Sequence, residues 1–222
     1  SFSTNSPGHR VFASLSYRAE YFNFGATTVS LFYDGSTIGS GSYAYAGDLN
    51  GDGNSNNDLL YVPNNTSEMN FVDIKSGTTV TFTAAQQAAA WEAYINQDEY
   101  LNSRRGQYAE RAAAFLPMIF RADMSVVQDV FGDLFEKKHT LQFRLDILNI
   151  GNLINKQWGV GQRFVNLQPL IVSSSAPADA QGRAQYTMRA VSGSLMSTTF
   201  EKTSTFITDV FSLQLSVKYF FN

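Results

Sequence analysis

The chain has 222 residues, with 16 Lys and Arg against 19 Asp and Glu, a formal net charge of −3, and no cysteine. That length allows one large or two small domains. The absence of a clustered basic face argues against nucleic acid as a partner, and the lack of cysteine excludes thiol catalysis, thiolate metal sites and disulfides. No run of about 18 or more apolar residues is present, so no segment reads as a transmembrane helix; an alternating membrane β-strand escapes such a scan.

The first residues, "SFSTNSPGHR", carry neither a basic n-region nor an apolar h-region. The expectation is that a signal has been removed or that the chain is the later part of a longer polypeptide. From residue 9 the pattern is period-2. In 9–22, Val11, Ala13, Leu15, Tyr17, Ala19 and Tyr21 share one face, and Arg10, Ser14, Ser16, Arg18 and Glu20 the other. After "NFG", 26–37 puts Val29, Leu31 and Tyr33 together. The next alternation, 118–130, sets Met118, Phe120, Ala122, Met124 and Val126 against Arg121, Asp123, Ser125 and Asp129. "HTLQFRLDILNI" sets Leu141, Phe143, Leu145 and Ile147 against Thr140, Gln142, Arg144 and Asp146. A weaker strand is expected over 160–173. In "GRAQYTMRAV", Ala184, Tyr186, Met188 and Ala190 oppose Arg183, Gln185, Thr187 and Arg189. A terminal strand is expected over 209–222, with Phe211, Leu213, Leu215, Val217, Tyr219 and Phe221 on its apolar side.

Seven strands of about ten to fourteen residues exceed the usual soluble strand of about five or six and suit a tilted membrane strand. A soluble β-sandwich with one wet face is the alternative, favoured by shorter strands and more even loops. The predicted fold is therefore all-β: an antiparallel transmembrane β-barrel segment, the whole of 1–222 being the C-terminal part of one barrel domain with a long extracellular loop at 38–116. Loop lengths support this. With the C-terminus periplasmic, 193–208, 150–159 and 38–116 fall outside, and 174–182, 131–138 and 23–25 fall inside. Seven strands cannot close a single-chain bacterial barrel, so further strands are expected. The charged faces, including Arg183 and Arg189, are expected to look inward, where water and counter-charges solvate them.

The long loop holds "DLNGDGNSNNDLLYVP". Asp48, Asn50, Asp52, Asn56 and Asp58 place oxygen donors at positions 1, 3, 5, 9 and 11, with Asn54 at position 7 and Gly53 at the sharp turn. This follows EF-hand logic, with Leu59 where a bidentate Glu would stand. A structural calcium ion is expected; the bland reading is a solvated Asn/Gly turn. Downstream, "TAAQQAAAWEAYINQDEYL" reads as a helix with a Thr83–Gln86 capping box and an apolar stripe of Ala88, Trp91 and Ile95. That stripe is expected to pack on neighbouring loops, the sharper alternative being Trp91 and Tyr94 as a ligand platform. Arg104, Arg105 and Arg111 are expected to pair with nearby acids, or to meet an anionic ligand or lipopolysaccharide. His9 and His139, the only histidines, are expected at opposite ends of the strands, and no catalytic cluster is visible, so no enzymatic activity is expected.

Taken in order, "HRVFASLSYRAEYFNFGATTVSLFYDG", "YAYAGDLNGDGNSNNDLLYVP", "LNSRRGQYAERAAAFLP", "KKHTLQFRLDILNIGNLINKQWG" and the closing "YFFN" resemble the C-terminal barrel portion of TonB-dependent outer-membrane receptors. The likeness is nearest to the Oar-like, carboxypeptidase-regulatory-domain type of Bacteroidota. The resemblance implies a barrel of about 22 strands around an N-terminal plug. It also implies localisation in the bacterial outer membrane, and import of a nutrient or large ligand powered through the TonB complex by a region outside this sequence. Implied partners are the rest of the barrel and its plug, outer-membrane lipid and lipopolysaccharide, and a surface lipoprotein or extracellular protein. Asn222, after the last Phe, departs from a strictly terminal aromatic signal for barrel assembly. Alternatives are a surface platform without transport, which external-partner binding would reveal, and a passive porin, which a large open conductance would reveal.

Overall fold

The computed structural model describes residue 3 and residues 8–134, 137–172, 178–203 and 206–221. The chain divides into two compact units, and each is taken by itself.

The first unit, 7–38 with 117–162 and 202–222, is built on a five-stranded antiparallel sheet. Its strands are β1 (Arg10–Tyr21), β2 (Gly25–Ser36), β3 (Ile119–Leu134), β4 (Lys137–Leu148) and β5 (Ser212–Phe221), each paired with its neighbour in chain order. Such a meander is the wiring of an up-and-down barrel. Among the described residues it does not close, and β1 and β5 each have one neighbour. The strands run 10 to 16 residues, against about five or six in soluble sheets.

Five long strands replace the seven expected. Among the described residues, 160–172 and 183–190 do not join this sheet; their alternation belongs to the short strands Gln162–Phe164, Leu170–Val172 and Tyr186–Met188. One connection, 149–211, therefore runs from β4 to β5, leaving the same sheet end as the connection from β2 to β3. The close turn Phe22–Phe24 and the paired strand ends Leu134 and Lys137 lie at the other end. Long and short connections still alternate, now between five strands. Part of the inner turn expected at 174–182 lies outside the described residues, and 178–182 is grouped with the second unit.

The second unit joins 39–116 to 163–201, so the segment expected as a loop is a folded body with its own core. Tyr43, Tyr45, Leu60, Trp91, Tyr94, Ile95, Leu101, Leu170 and Met188 are almost wholly buried there. Helix α1 (Ala84–Gln97) starts at Thr83, whose hydroxyl accepts from Gln86 N–H while the Gln86 amide oxygen accepts from Thr83 N–H, closing the capping box. The Trp91 ring stacks on Tyr94 at 5.6 Å, and both are buried, so this stripe is core and not a ligand platform. Gln87 ties the halves: Nε2 donates to Val72 O at 2.7 Å, and Oε1 accepts from Met188 N–H at 2.9 Å. The Met188 strand, Tyr186–Met188, pairs with Leu170–Val172. Buried Asp98 caps the short helix α2 (Glu99–Ser103) and accepts from the Tyr43 and Thr199 hydroxyls at 2.6 and 2.5 Å.

Candidate functional site

The sheet presents two unlike faces. Register places Ala13–Tyr33–Ala122, Leu15–Leu31–Met124–Ile147–Leu213, Tyr17–Val29–Val126–Leu145–Leu215, Ala19–Thr27–Gln128–Phe143–Val217 and Tyr21–Gly25–Val130–Leu141–Tyr219 in successive rows on one side. Its apolar side chains face open space: Leu15 is 73% exposed, Leu213 59%, Leu215 80% and Phe143 44%. A contiguous apolar surface of this size marks contact with a partner protein or with lipid. Two polar residues sit within the band and satisfy each other. The Tyr21 and Thr27 hydroxyls meet Gln128 Oε1 at 2.7 and 2.6 Å, and Gln128 Nε2 donates to Ala26 O at 3.1 Å.

Aromatic rings bound the band. At one end Tyr33 and Phe120 stack at 6.2 Å; at the other stand Tyr21, Phe22 and Phe24, with Tyr219 between His139 and Phe221. The Tyr33 and Tyr21 rows are eight residues apart along β1. At about 3.3 Å per residue and a tilt of about 40°, that is a height of about 20 Å, close to the ~25 Å apolar band of outer-membrane barrels. The rings are seated on glycine. A Cβ on Gly35 would stand 2.6 Å from a ring carbon of Phe120, and one on Gly25 would stand 2.7 Å from a ring carbon of Tyr21.

The opposite face is mostly polar, with Phe12, Phe32 and Phe220 exposed among its residues, and its charges are paired. Arg10 meets Asp34 at 2.7 Å, Arg18 meets Asp129 at 2.8 Å and Arg144 meets Asp146 at 2.8 Å. Arg121 holds the fully buried Asp209 carboxylate at 2.9 Å and donates to Gly159 O. Arg183 and Arg189, expected on this face, lie in the second unit; there Arg183 pairs with Asp179, and Arg189 donates to Gln168 O.

In the second unit, the turn expected to hold calcium closes on itself. Asp48 accepts backbone N–H groups from Gly51, Asp52 and Gly53 at 2.7, 3.2 and 2.9 Å. Gly51 and Gly53 both have φ above +70°, the region glycine enters without penalty. Asn50 Oδ1 accepts from Asp52 N–H, and Asp52 Oδ1 from Asn54 N–H. The return limb is joined by Asp58, which accepts from Leu49 N–H at 2.7 Å, and by Asn56, which accepts from Gly47 N–H at 3.2 Å. Backbone N–H from Asn54, then the amide of Asn50, hold the Asp52 carboxyl below its ordinary pKa. All six expected ligands thus lie in one closed turn. Among the described residues, however, no three His, Cys, Asp or Glu side chains are clustered as a metal-holding group. The oxygens that would serve a cation here accept N–H groups.

Of the three arginines singled out, Arg104 pairs with Glu110 and Arg105 with Glu92. Arg111 has no hydrogen-bond or ion-pair partner among the described residues. His9 lies beside the β1 end that pairs with Ser36, and His139 lies opposite Phe221, at the two ends of the sheet. Sequence reading missed the stacked Tyr33–Phe120 pair as a belt and the role of Gly25 and Gly35. The signal lay in their cross-strand neighbours, which only a register supplies.

Comparison of the chain with protein-family models, with curated proteins and with solved structures yields no match.

Proposed function

We propose that this chain is part of a TonB-dependent outer-membrane transporter: a stretch of barrel wall and the folded body carried on its outer connections. The observation that carries the reading is the uncovered apolar face, with Leu15, Leu213 and Leu215 exposed between two aromatic belts. Lipid tails accept such a face, and water does not. Unpaired backbone groups at the β1 and β5 edges cannot be left in hydrocarbon, so the reading requires further strands to pair them. The resemblance adds the plug, the TonB coupling and ligand import. By loop parity, the unit of 39–116 and 163–201 faces outward. Calcium in the Asp48–Asp58 turn belongs to the same reading. The turn's alternating oxygens support it, and a small rotation of Asp52 and Asp58 away from their N–H donors would free them for a cation.

The test of membrane exposure uses the natural absence of cysteine. Single cysteines replacing Leu15 or Leu215, and Ser16 or Gln214, are labelled with a fluorophore in vesicles containing nitroxide lipid. Quenching confined to the first pair is expected; equal quenching, or full solubility without detergent, ends the reading. Transport is tested by ligand uptake into cells carrying the whole gene, and abolition by a protonophore is expected. Uptake indifferent to the protonophore would indicate a passive porin. Surface binding without uptake would indicate a platform, a second reading that the folded, core-bearing unit favours.

A further inference from the structure

In the unit of 39–116 and 163–201, a cleft of about 700 Å³ opens beside the Asp48–Asp58 turn. Arg111 is the one charged residue among those lining it; Asn56, Asn57, Asn166 and Gln168 supply amides, and Phe164 an apolar wall. We infer that this cleft binds an acidic oligosaccharide, with Arg111 gripping a sugar carboxylate.

The hydrogen-bond pattern carries the inference. Asn56 Oδ1 accepts from Gly47 N–H, and Asn166 Oδ1 accepts from Gln168 N–H at 2.7 Å, which fixes both amides with their NH₂ groups unspent. The Gln168 side chain and the Arg111 guanidinium have no partners among the described residues. The wall therefore offers surplus N–H donors around one unpaired cation, while two of its amide oxygens are already occupied. An acceptor-rich anion is the complement. A guanidinium matches a carboxylate with two parallel hydrogen bonds. A peptide would bring one backbone N–H donor per residue and find few open acceptors here; sugar hydroxyls accept and can turn their own protons to water. The volume falls within the range of small-ligand sites and suits two or three sugar rings.

A second observation concerns the backbone. Ala112, next to Arg111, is buried with φ of +53°, a region that residues bearing a Cβ enter rarely and at a cost. Its N–H is held by the Ser42 hydroxyl at 2.8 Å, and Ser42 also lines the cleft. Backbone of this kind clusters at ligand clamps.

The test is calorimetry on the full chain in detergent, or without it should the chain prove soluble, so binding is judged separately from the membrane reading. Trigalacturonate, its methyl ester and triglutamate are the probes. Binding of trigalacturonate alone is expected, weakened about 10- to 100-fold by Arg111→Ala and less by Arg111→Lys. Gln168→Ala is expected to weaken it several-fold. Far-UV circular dichroism confirms that each variant is folded. No binding at millimolar trigalacturonate, equal binding of the ester or of triglutamate, or indifference to Arg111→Ala in a folded variant overturns the proposal.

Discussion

At the scale of single residues, two substitutions probe the sheet's outward surface. Leu215 lies in the middle row of the apolar band, between Leu145 and open space. On the proposed membrane reading an arginine there holds its charge at the bilayer midplane, and Leu215→Arg should cost about 2–4 kcal/mol in urea unfolding from vesicles. Gln214→Arg, one residue away on the polar face, should cost less than about 1 kcal/mol. Equal costs would contradict the assignment of faces. Gly35 is the second probe. A valine there must displace the Phe120 ring and press on Val11, whose methyl would stand 3.0 Å from the new Cβ. Because Phe120 is half exposed it can move, so the expected loss is modest, about 1 kcal/mol. Phe120→Ala in the Gly35→Val background should recover most of it, measured by the same unfolding.

At the scale of elements, the Asp48–Asp58 turn gives the clearest prediction. Calcium is expected to bind with calorimetric heat and to protect the turn from proteolysis, and Asp52→Ala is expected to abolish both. Unchanged proteolysis with calcium at millimolar concentration would leave the turn a hydrogen-bonded Asn/Gly loop. How far the elements were legible depended on what each pattern encodes. Helix α1 was readable because Thr83 and Gln86 form a local signal that needs no tertiary partner. The five sheet strands were readable because a sheet with two unlike faces alternates over ten residues or more. The segments 160–173 and 183–190 were misread because alternation reports two unlike sides, not what covers them. Tyr186 and Met188 alternate with polar residues, but Met188 faces a protein core with Leu170 and Gln87. Their strands are three residues long, and length would have been the better guide. Arg111 was visible in sequence as one of three arginines; that it alone of the three lacks a partner among the described residues follows from the positions of Glu92 and Glu110.

At the scale of the whole molecule, the two units are stabilised by different means, and pH separates them. The unit of 39–116 and 163–201 holds Tyr43, Tyr45, Tyr94 and Tyr186 in or against its core, and burial pushes all four phenols above their ordinary range. In the unfolded chain the same groups ionise near pH 10. Below that value both states carry the protons, and the phenols make stability no function of pH. Above it the unfolded state releases protons that the native state retains, so native stability falls as pH rises. The chain's two tryptophans make this observable. Trp91 is fully buried in that unit, while Trp158 belongs to the sheet unit and is 55% exposed. In a Trp158→Phe variant, emission reports Trp91 alone. It should stay blue from pH 7 to about 10 and move red above it, and Tyr43→Phe should delay the shift. That variant also frees an oxygen of Asp98 from its phenol partner, which should lower stability at neutral pH by about 1–2 kcal/mol. A gain at high pH with a loss at pH 7 is a signature that simple loosening of the core does not produce. Blue emission persisting to pH 12 would show that these phenols do not govern the unit's stability.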